Sequence, residues 1–316
     1  MSQKYKIGDM LSTREVLGEA ISNIAGIDDR VWALTSDCGG NMSSFKQNYP
    51  ERFVDDGIAE QNAAGMAAGL ALSGAVPYIM GMAPFVTMRA FEQDRSAISY
   101  QNLPVRIVGY TAGMTTGGGS THYAMEDIAI MRAVTNMTVI SVSDPLLGME
   151  AIKAGLDYKG PYYMRCGNGK SDPILYDPGN INFEIGKGIL AREGKDLTII
   201  THGVMVKYAI SIADRLAKEG ICVEVLDMFT IKPMDTELIR SSVLKTRRVI
   251  VWEDHNVYGG LGTAVSEMLV DEKLQVESFI RVGIPSTYPG FGSDVSLYQK
   301  YQMDEKSGEQ LIYKLL

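Results

Sequence analysis

The sequence predicts an α/β protein of two consecutive domains, each a mostly parallel sheet flanked by helices. Apolar segments that suit buried strands alternate with amphipathic helical segments along the 316 residues, a pattern typical of parallel sheets covered on both faces. Residues 167–186 are rich in Gly, Pro, Asn and Asp and interrupt the alternation, which then restarts. We therefore predict one domain over residues 1–182 and a second over residues 183–316.

The predicted strands and helices alternate in the same way in both domains. In the first domain, the strands are VWALTSD (31–37), VPYIMGM (76–82), VRIVGYT (105–111), TVISVSD (138–144) and PYYMRC (161–166), with helices over 62–73, 90–101, 125–136 and 145–157. In the second, they are LTIITHG, CVEVLDM, RVIVWED and SFIRVGI, with helices over 205–218, 235–244, 262–273 and near the C-terminus. Sites in open parallel sheets lie beyond the carboxyl ends of the strands, which directs attention to Asp37, Phe85, the glycines at 117–119 and Arg165.

Composition narrows the class of protein. Hydrophobic residues make up 46% and charged residues 22%, as in globular proteins. The net charge of -8 and the lack of a long basic run argue against nucleic acid as a partner, and no apolar stretch is long enough to predict a membrane span. Three cysteines without CxxC spacing and an N-terminus without an apolar signal region predict a reducing, cytoplasmic location.

A glycine run precedes a histidine in GMTTGGGSTHYAMEDIAIMRA (113–133). Glycine lets the backbone approach a ligand closely, and a histidine at such a place can exchange a proton or hydrogen-bond a hydroxyl. A flexible turn with a structural histidine explains the same pattern. No GK[ST] follows, so the run is not a Walker loop.

A single carboxylate, Glu60, begins the segment EQNAAGMAAGLAL, which is otherwise built mainly from Ala, Gly, Met and Leu. A helix with such small side chains allows close backbone contact and suits an interface, where the carboxylate would be pressed between packed surfaces. A carboxylate at a helix start also interacts favourably with the helix dipole without any further role. The residues alone leave both interpretations open.

Several segments together resemble a known family. They are SDCGG, FVDDGIAEQN, PYIMGMAPFVTMRAFEQ, GGGSTHYAMEDIAIMRA, YYMRC, VEVLDMFTIKPMD and VWEDHNVYGGLGTAVSE. In this order they resemble the C-terminal half of transketolase, a thiamine-diphosphate enzyme, in its split-subunit form. The resemblance covers nearly the whole chain and implies a pyrimidine-binding domain followed by a transketolase C-terminal domain.

The resemblance implies roles for cofactor-binding residues. Glu60 matches the catalytic glutamate that hydrogen-bonds N1′ of the cofactor's aminopyrimidine ring and thereby activates the cofactor. Phe85 matches the aromatic residue that stacks on that ring, although an ordinary core Phe is the alternative. Asp37 stands where the family has an acidic residue near the cofactor, and a capping role is its alternative. Met82 and Met88 replace two aromatic residues that flank the stacking position.

The resemblance also implies substrate contacts. His122 matches the histidine of the family's DGPTH segment, which contacts oxygens of the donor substrate, and we expect it to act in catalysis. Arg165 matches an arginine that binds the phosphate of the sugar, a task suited to a planar guanidinium, with an ion pair as the alternative.

The same segments depart from the family where the sugar binds. Gly118 replaces the Asp of DGPTH, and Tyr110 and Asn41 stand where common transketolases have a His and a Ser on the phosphate side. We therefore expect a two-carbon ketol transfer from an anionic, non-standard ketose, bearing a phosphate or a sulfonate, to an aldose.

The diphosphate and Mg²⁺ site of the family needs a GDG motif, which this sequence lacks. The resemblance therefore implies a separate N-terminal-half subunit that supplies the diphosphate-binding domain and the metal ligands, with no metal ligand on this chain. We expect an α2β2 assembly with two copies of this chain at its centre. In the second domain, His202 and His255 are expected to be structural.

Alternative functions share parts of this pattern. The beta subunit of a 2-oxo acid dehydrogenase decarboxylase has the same fold and cofactor, but GGGSTHYAMEDIAIMRA is more similar to transketolase. A deoxyxylulose-phosphate synthase is disfavoured because that enzyme carries both halves in one chain. A non-catalytic scaffold subunit would not need Glu60 and Phe85.

Overall fold

The structure, a computed structural model, describes residues 5–316. Residues 1–4 lie outside the described part, and they include the beginning of the predicted first domain and of the segment considered for a signal peptide. Within residues 5–316, no helix has both the length and the apolar character needed to cross a bilayer.

The first domain holds eight strands and six α-helices within the described residues. Its strands are β1 (Met10–Leu11), β2 (Val31–Thr35), β3 (Phe53–Asp55), β4 (Val76–Met82), β5 (Arg106–Tyr110), β6 (Thr138–Ser141), β7 (Tyr162–Arg165) and β8 (Asp172–Pro173). Its helices are α1 (Thr13–Ala25), α2 (Ser43–Asn48), α3 (Glu60–Leu72), α4 (Phe91–Gln93), α5 (Asp127–Ala133) and α6 (Pro145–Gly155). Short 3₁₀ turns cover Gly39–Met42 and Pro50–Arg52, and π-helical turns cover Phe85–Arg89 and Asp94–Ser99.

The second domain repeats the alternation on a smaller scale. Its strands are β9 (Ile189–Arg192), β10 (Leu197–Thr201), β11 (Val223–Asp227), β12 (Thr230–Lys232), β13 (Arg248–Asn256) and β14 (Ser278–Ile284). Its helices are α7 (Met205–Leu216), α8 (Thr236–Thr246), α9 (Leu261–Asp271), α10 (Asp294–Lys300) and α11 (Glu305–Leu315), with a 3₁₀ turn over Ala217–Glu219.

Two large sheets form the centres of the domains. The first has the order β12-β6-β7-β5-β4-β2-β3, and the second has the order β14-β13-β10-β11-β9. All neighbours are parallel except β12 with β6 and β11 with β9. The predicted fold class, two mostly parallel sheets flanked by helices, is confirmed.

The first sheet is buried on both faces. Apolar residues of α1, such as Leu17 and Ile21, pack on one face beside Ile152 of α6. The small residues of α3 pack on the other face together with Ile98 and Met131. This packing explains why the first-domain strands are near-continuous apolar runs rather than alternating ones.

One strand crosses the predicted boundary. Strand β12 lies in the sequence of the second domain, yet it pairs antiparallel with β6 at the edge of the first sheet. The Nζ of Lys232 in this strand donates to the carbonyls of Arg132 (2.9 Å) and Val134 (2.6 Å) in the first domain. The domain boundary between residues 182 and 183 therefore remains a prediction. In the structure, a strand from the second part of the sequence belongs to the sheet of the first domain.

The predicted elements agree best with the structure where a whole predicted segment forms a single strand. Strand β4 covers the predicted residues 76–82, and β14 covers SFIRVGI. The helix predicted over 90–101 is helical over residues 91–99, but it is α-helical only in α4 and continues as the π-helical turn Asp94–Ser99. Helix α1 and the edge strands β3, β9 and β12 were not predicted.

The segment around Glu253 explains why EDH and GGLG occur together. The Glu253 carboxylate accepts the N–H groups of Leu261 (2.8 Å) and Gly262 (2.9 Å), so it caps the start of α9. Burial raises the pKa of Glu253, but its contact with His202 and these bonds lower it, and the net shift is downward. A Cβ on Gly260 would lie 2.1 Å from this carboxylate, so the close approach requires a glycine.

His255 and His202 are both buried and join the domains rather than face solvent. The Nε2 of His255 lies 3.3 Å from the backbone nitrogen of Ala129, and the Nδ1 of His202 lies 2.9 Å from the Oγ of Ser141. Burial lowers the pKa of His202. Both contacts fit the structural roles expected for these histidines.

Candidate functional site

Glu60 begins α3 at the carboxyl edge of the first sheet. Strand β3 ends at Asp55, and the turn that follows is held by Asp56, whose carboxylate accepts from Ser36 (2.8 Å) and from Asn62 (3.1 Å). These bonds fix the chain where it enters the helix. The Glu60 side chain is only 5% exposed, so its carboxylate is nearly excluded from water.

Arg89 pairs with this carboxylate. Its Nη1 lies 2.7 Å from Oε2 of Glu60, and its side chain is 40% exposed. The guanidinium also lies over the ring of Phe85, with its central carbon 4.2 Å from the ring centroid. Both residues belong to the π-helical turn after β4, and such turns are frequent at functional sites.

His122 completes a line of four side chains. Its ring centroid lies 5.3 Å from that of Phe85, in an edge-to-face arrangement at 76°. Its Nδ1 lies 3.0 Å from the Oγ1 of Thr121, and its backbone N–H donates to the carbonyl of Gly119 at 2.9 Å. Glu60, Arg89, Phe85 and His122 thus touch in series, and we call them the site line.

The site line provides a distinct set of chemical groups. It contains a nearly buried carboxylate, an aromatic ring that is linked to it through Arg89, and a half-buried imidazole. The Arg89 guanidinium is a planar cation that stacks on the ring and donates an N–H to the carboxylate. A planar heteroaromatic cofactor ring with a hydrogen-bonding nitrogen needs these same two interactions. Glu60 and Phe85 therefore fit such a ring.

The remaining residues predicted to contact the cofactor occupy different places. Met88 is exposed and lies within the π-helical turn between Phe85 and Arg89, next to the site line. Met82 is half-buried against the core under α1. Asp37 is exposed at the end of β2, where its backbone has a φ of 56° and its N–H donates to Asp55 at 2.9 Å.

The structure corrects the prediction for Arg165. This side chain is buried, with 3% exposure, and its Nη1 lies 3.0 Å from Oδ1 of Asp127 while Nη2 donates to the carbonyl of Asp254 at 3.0 Å. Burial lowers the pKa of its guanidinium, but Asp127 and neighbouring groups raise it, and the net shift is upward. Arg165 thus joins the two domains and is not free to bind a substrate anion.

Tyr110 and Asn41 are also placed away from the site line. Tyr110 is buried in the core on the α1 side, with the guanidinium of Arg14 5.1 Å from its ring centroid. Burial raises the pKa of Tyr110 strongly. Asn41 lies half-buried in the turn Gly39–Met42, where its carbonyl packs closely against Gly18 of α1.

The lack of a side chain at Gly118 makes room for His122. A Cβ at this position would lie 2.8 Å from the Cβ and Cγ of His122. The imidazole therefore occupies the volume that any side chain at residue 118 would need, which explains why glycine stands here.

Arg89 is a site residue that was not predicted. The segment FVTMR could have indicated this residue, because a cation four residues after an aromatic residue lies on the same side of a helical turn. No group of three or more His, Cys, Asp or Glu side chains in residues 5–316 lies close enough together to hold a metal ion.

Comparison with known proteins identifies the class of protein to which this fold and site belong. The family model of the transketolase pyrimidine-binding domain matches residues 9–170, and that of the transketolase C-terminal domain matches residues 186–307. The chain belongs to the transketolase family.

Individual relatives match nearly end to end. The chain is 33% identical to an apulose-4-phosphate transketolase subunit of Phocaeicola vulgatus, over 94% of this chain and 95% of the relative. It is 36% identical to a 6-deoxy-6-sulfo-D-fructose transketolase subunit of a Clostridium species, over 93% and 91% of the two chains. A solved structure described as a split-gene transketolase, inactive beta4 tetramer, superposes with a TM-score of 0.86 at 36% identity and covers 97% of this chain and 98% of that one.

Proposed function

We propose that this chain is the catalytic half of a two-subunit transketolase, which moves a two-carbon ketol unit from a ketose to an aldose. The observation that carries the proposal is the nearly buried Glu60 carboxylate, paired with a planar cation that stacks on Phe85. In a chain of the transketolase family, this arrangement suits the aminopyrimidine ring of thiamine diphosphate.

Thiamine diphosphate, when bound, supplies the electron sink that lets the bond beside the ketose carbonyl break. In the proposed site, Glu60 would hold the proton shared with N1′ of the aminopyrimidine ring, and Phe85 would stack on that ring. Because Glu60 is nearly excluded from water, its hydrogen bond is stronger than a solvent-exposed one. Arg89 donates to Oε2 and holds the carboxylate, so Oε1 would be the oxygen that holds the shared proton.

His122 is the proposed contact for oxygens of the donor substrate. It is half-buried beside Phe85, so its imidazole can reach a substrate that lies next to the stacked ring. A neutral imidazole can donate one hydrogen bond and accept another, and therefore suits a substrate that carries hydroxyl groups.

A second subunit would supply the diphosphate-binding domain and the Mg²⁺ ligands. The proposed assembly is α2β2, with two copies of this chain at its centre and with the cytoplasm as its location. The face of α3 that carries Gln61, Gly65, Gly69 and Leu72 is exposed in this chain. These residues recur every three or four positions and share one side of the helix, which begins at Glu60, so a copy packed here would lie beside the carboxylate.

The proposed donor is a ketose with an anionic head group. Two relatives are named for a phosphorylated and a sulfonated sugar. Since Arg165 is buried, the head group needs other cations, and Arg89 of the site line is a partly exposed candidate.

A donor screen with the assembled enzyme tests this function. The purified pair of subunits, with thiamine diphosphate and Mg²⁺, would be supplied with phosphorylated, sulfonated and uncharged ketoses, and separately with a 2-oxo acid and a lipoyl acceptor. Ketol transfer to an aldose, fastest with an anionic ketose, is expected. Turnover of the 2-oxo acid alone would show a decarboxylase subunit instead.

A further inference from the structure

A loop of the second domain lies against the glycine run that carries His122. We call residues 289–291 the PGF loop. The Oγ of Ser120 donates to the carbonyl of Pro289, and the hydroxyl of Tyr123 donates to the carbonyl of Gly290 at 3.2 Å. Two bonds thus connect segment 117–123 with the backbone of this loop.

The ring of Phe291 makes the third contact. A Cβ on Gly119 would lie 2.5 Å from one carbon of this ring, and Gly119 has a φ of +74°. The ring therefore packs directly on a backbone that only glycine readily provides.

The other end of this segment is also held by the second domain. The carboxylate of Asp254 accepts the N–H of Met114 at 3.1 Å, and it accepts the hydroxyl of Tyr298, in α10, at 2.7 Å. A Cβ on Gly113 would lie 1.9 Å from the same carboxylate. Segment 113–123 is therefore clamped at both ends by groups of the second domain.

The clamped segment 113–123 is connected to the site line through His122. The carbonyl of Gly119 accepts the N–H of His122 at 2.9 Å, and the His122 ring fills the space above Gly118. That ring packs edge-on against Phe85. A shift of the glycine run would therefore move the imidazole relative to Phe85.

Phe291 contributes little to the core. Its side chain is 84% exposed, so burial of apolar area does not explain the aromatic residue at this position. Its removal is consequently expected to leave the stability of the domain nearly unchanged.

We propose that Phe291 is a positioning residue, through which the second domain holds the glycine run and orients His122 toward the substrate. The role in catalysis rests on the proposed function, whereas the role in orienting His122 does not. The second domain, in which the sequence shows no catalytic group, thereby contributes to the active site.

Nuclear magnetic resonance of the full chain tests the orientation directly. The chain has three histidines, and two of them, His202 and His255, are buried at the domain junction. In Phe291→Ala, the ring signals of His122 are expected to shift, and amide hydrogen exchange in segment 117–123 is expected to accelerate. The signals of His202 and His255 should stay in place. Phe291→Tyr, which keeps the ring, should restore the original His122 signals.

Tyr288→Ala is the matched control, since Tyr288 is an exposed aromatic residue next to the PGF loop. If Phe291→Ala changes the His122 signals and the exchange no more than this control, the proposal is wrong. The unfolding temperature of each variant separates a local effect from a loss of the fold.

Kinetics of the assembled enzyme test the consequence. With Phe291→Ala, KM for the ketose donor is expected to rise roughly tenfold or more, because a small misplacement of a positioning group is costly. The affinity for thiamine diphosphate should be unchanged. A displaced His122 with an unchanged KM would contradict the catalytic role of the loop. Failure of the wild-type assembly to bind the cofactor would instead contradict the proposed function and leave the His122 result intact.

Discussion

At the scale of single residues, the ion pair between Glu60 and Arg89 explains how an isolated carboxylate is tolerated at the head of an apolar helix. Glu60 is nearly buried, and an unpaired charge in such a place would be costly. The bond to Arg89 gives the buried carboxylate a hydrogen-bonded partner, and the start of a helix is a favourable place for an acidic side chain. The carboxylate is therefore kept available as a hydrogen-bond acceptor.

Glu60→Gln is expected to leave the fold intact and to reduce turnover of the assembled enzyme by about a hundredfold or more. Glutamine retains the size of the side chain but cannot hold the proton shared with the cofactor ring. Circular dichroism and ketol-transfer rates would measure the two effects. Glu92→Gln, an exposed glutamate that bonds only to its neighbour Gln93 among the described residues, is the control. Full activity of Glu60→Gln would remove Glu60 from the reaction.

Arg165 is expected to contribute to the stability of the fold rather than to substrate binding. Arg165→Met would leave Asp127 buried without its cation, and breaking a buried pair costs about 3–5 kcal/mol. The free energy of unfolding in urea measures this loss. Arg30→Ala, which removes a pair with Asp28 at the surface, should cost no more than about 1 kcal/mol. A stable Arg165→Met protein with a raised KM for charged ketoses alone would restore the anion-binding role.

At the scale of elements, helix α3 has one side packed against the first sheet and an opposite side that is exposed in the described part of the chain. Its alanines, including Ala64 and Ala68, are buried against the first sheet. On the opposite side, a Cβ added at Gly65 or Gly69 would meet no atom within 4 Å. Packing within this chain therefore does not require either glycine, although glycine weakens a helix interior.

Gly65→Ala and Gly69→Ala are expected to stabilise the isolated chain by about 0.5–1 kcal/mol each, because alanine favours the helix. In the proposed assembly, the same substitutions should weaken the contact between copies, because they add volume to a close helix contact. Urea unfolding and sedimentation measure the two effects. Gly308→Ala in α11, where a Cβ would lie 3.0 Å from Ile212, should show no such gain. Unchanged association would argue against α3 as the contact.

The elements also show what the sequence could predict. Strands such as β4 were predictable because both faces are buried and the run is continuously apolar. The two π-helical turns were not, since their apolar residues satisfy an ordinary helical pattern. At the site, Glu60, Phe85 and His122 were predicted and are brought together. The burial of Arg165 depends on Asp127 and Asp254, which are distant in sequence, and no local pattern reports such a pairing.

At the scale of the whole molecule, buried polar groups join the two domains. Asp227 ends β11 in the second domain and accepts hydrogen bonds from Ser143 of the first domain and, at 2.7 Å, from Tyr176 of the connecting segment. Burial raises the pKa of Asp227 from 3.8 to about 7. The folded protein therefore retains a proton on this carboxyl at pH values where the unfolded chain has released it.

This raised pKa predicts the direction of a pH effect. The stability contributed by protonated Asp227 is complete below the unfolded pKa of 3.8 and is lost as the pH rises through about 7. Between about pH 5 and pH 8, the free energy of unfolding of the wild type should fall more than that of Asp227→Asn. The difference should be on the order of 2–3 kcal/mol. Urea titrations at both pH values measure the difference. Asp157→Asn, at an exposed aspartate, is the control. Equal pH slopes in Asp227→Asn and the wild type would contradict the prediction.

The most direct test of the central claim is the affinity for thiamine diphosphate, measured by calorimetry with Mg²⁺. It would be measured for this chain alone, for this chain with a subunit that carries the diphosphate-binding domain, and for the same pair with Glu60→Gln. We expect binding only when both subunits are present, and weaker binding in the Glu60→Gln pair. Equal affinity in the wild-type and Glu60→Gln pairs, or no binding by the wild-type pair, would contradict the role of this chain as the half that activates the cofactor.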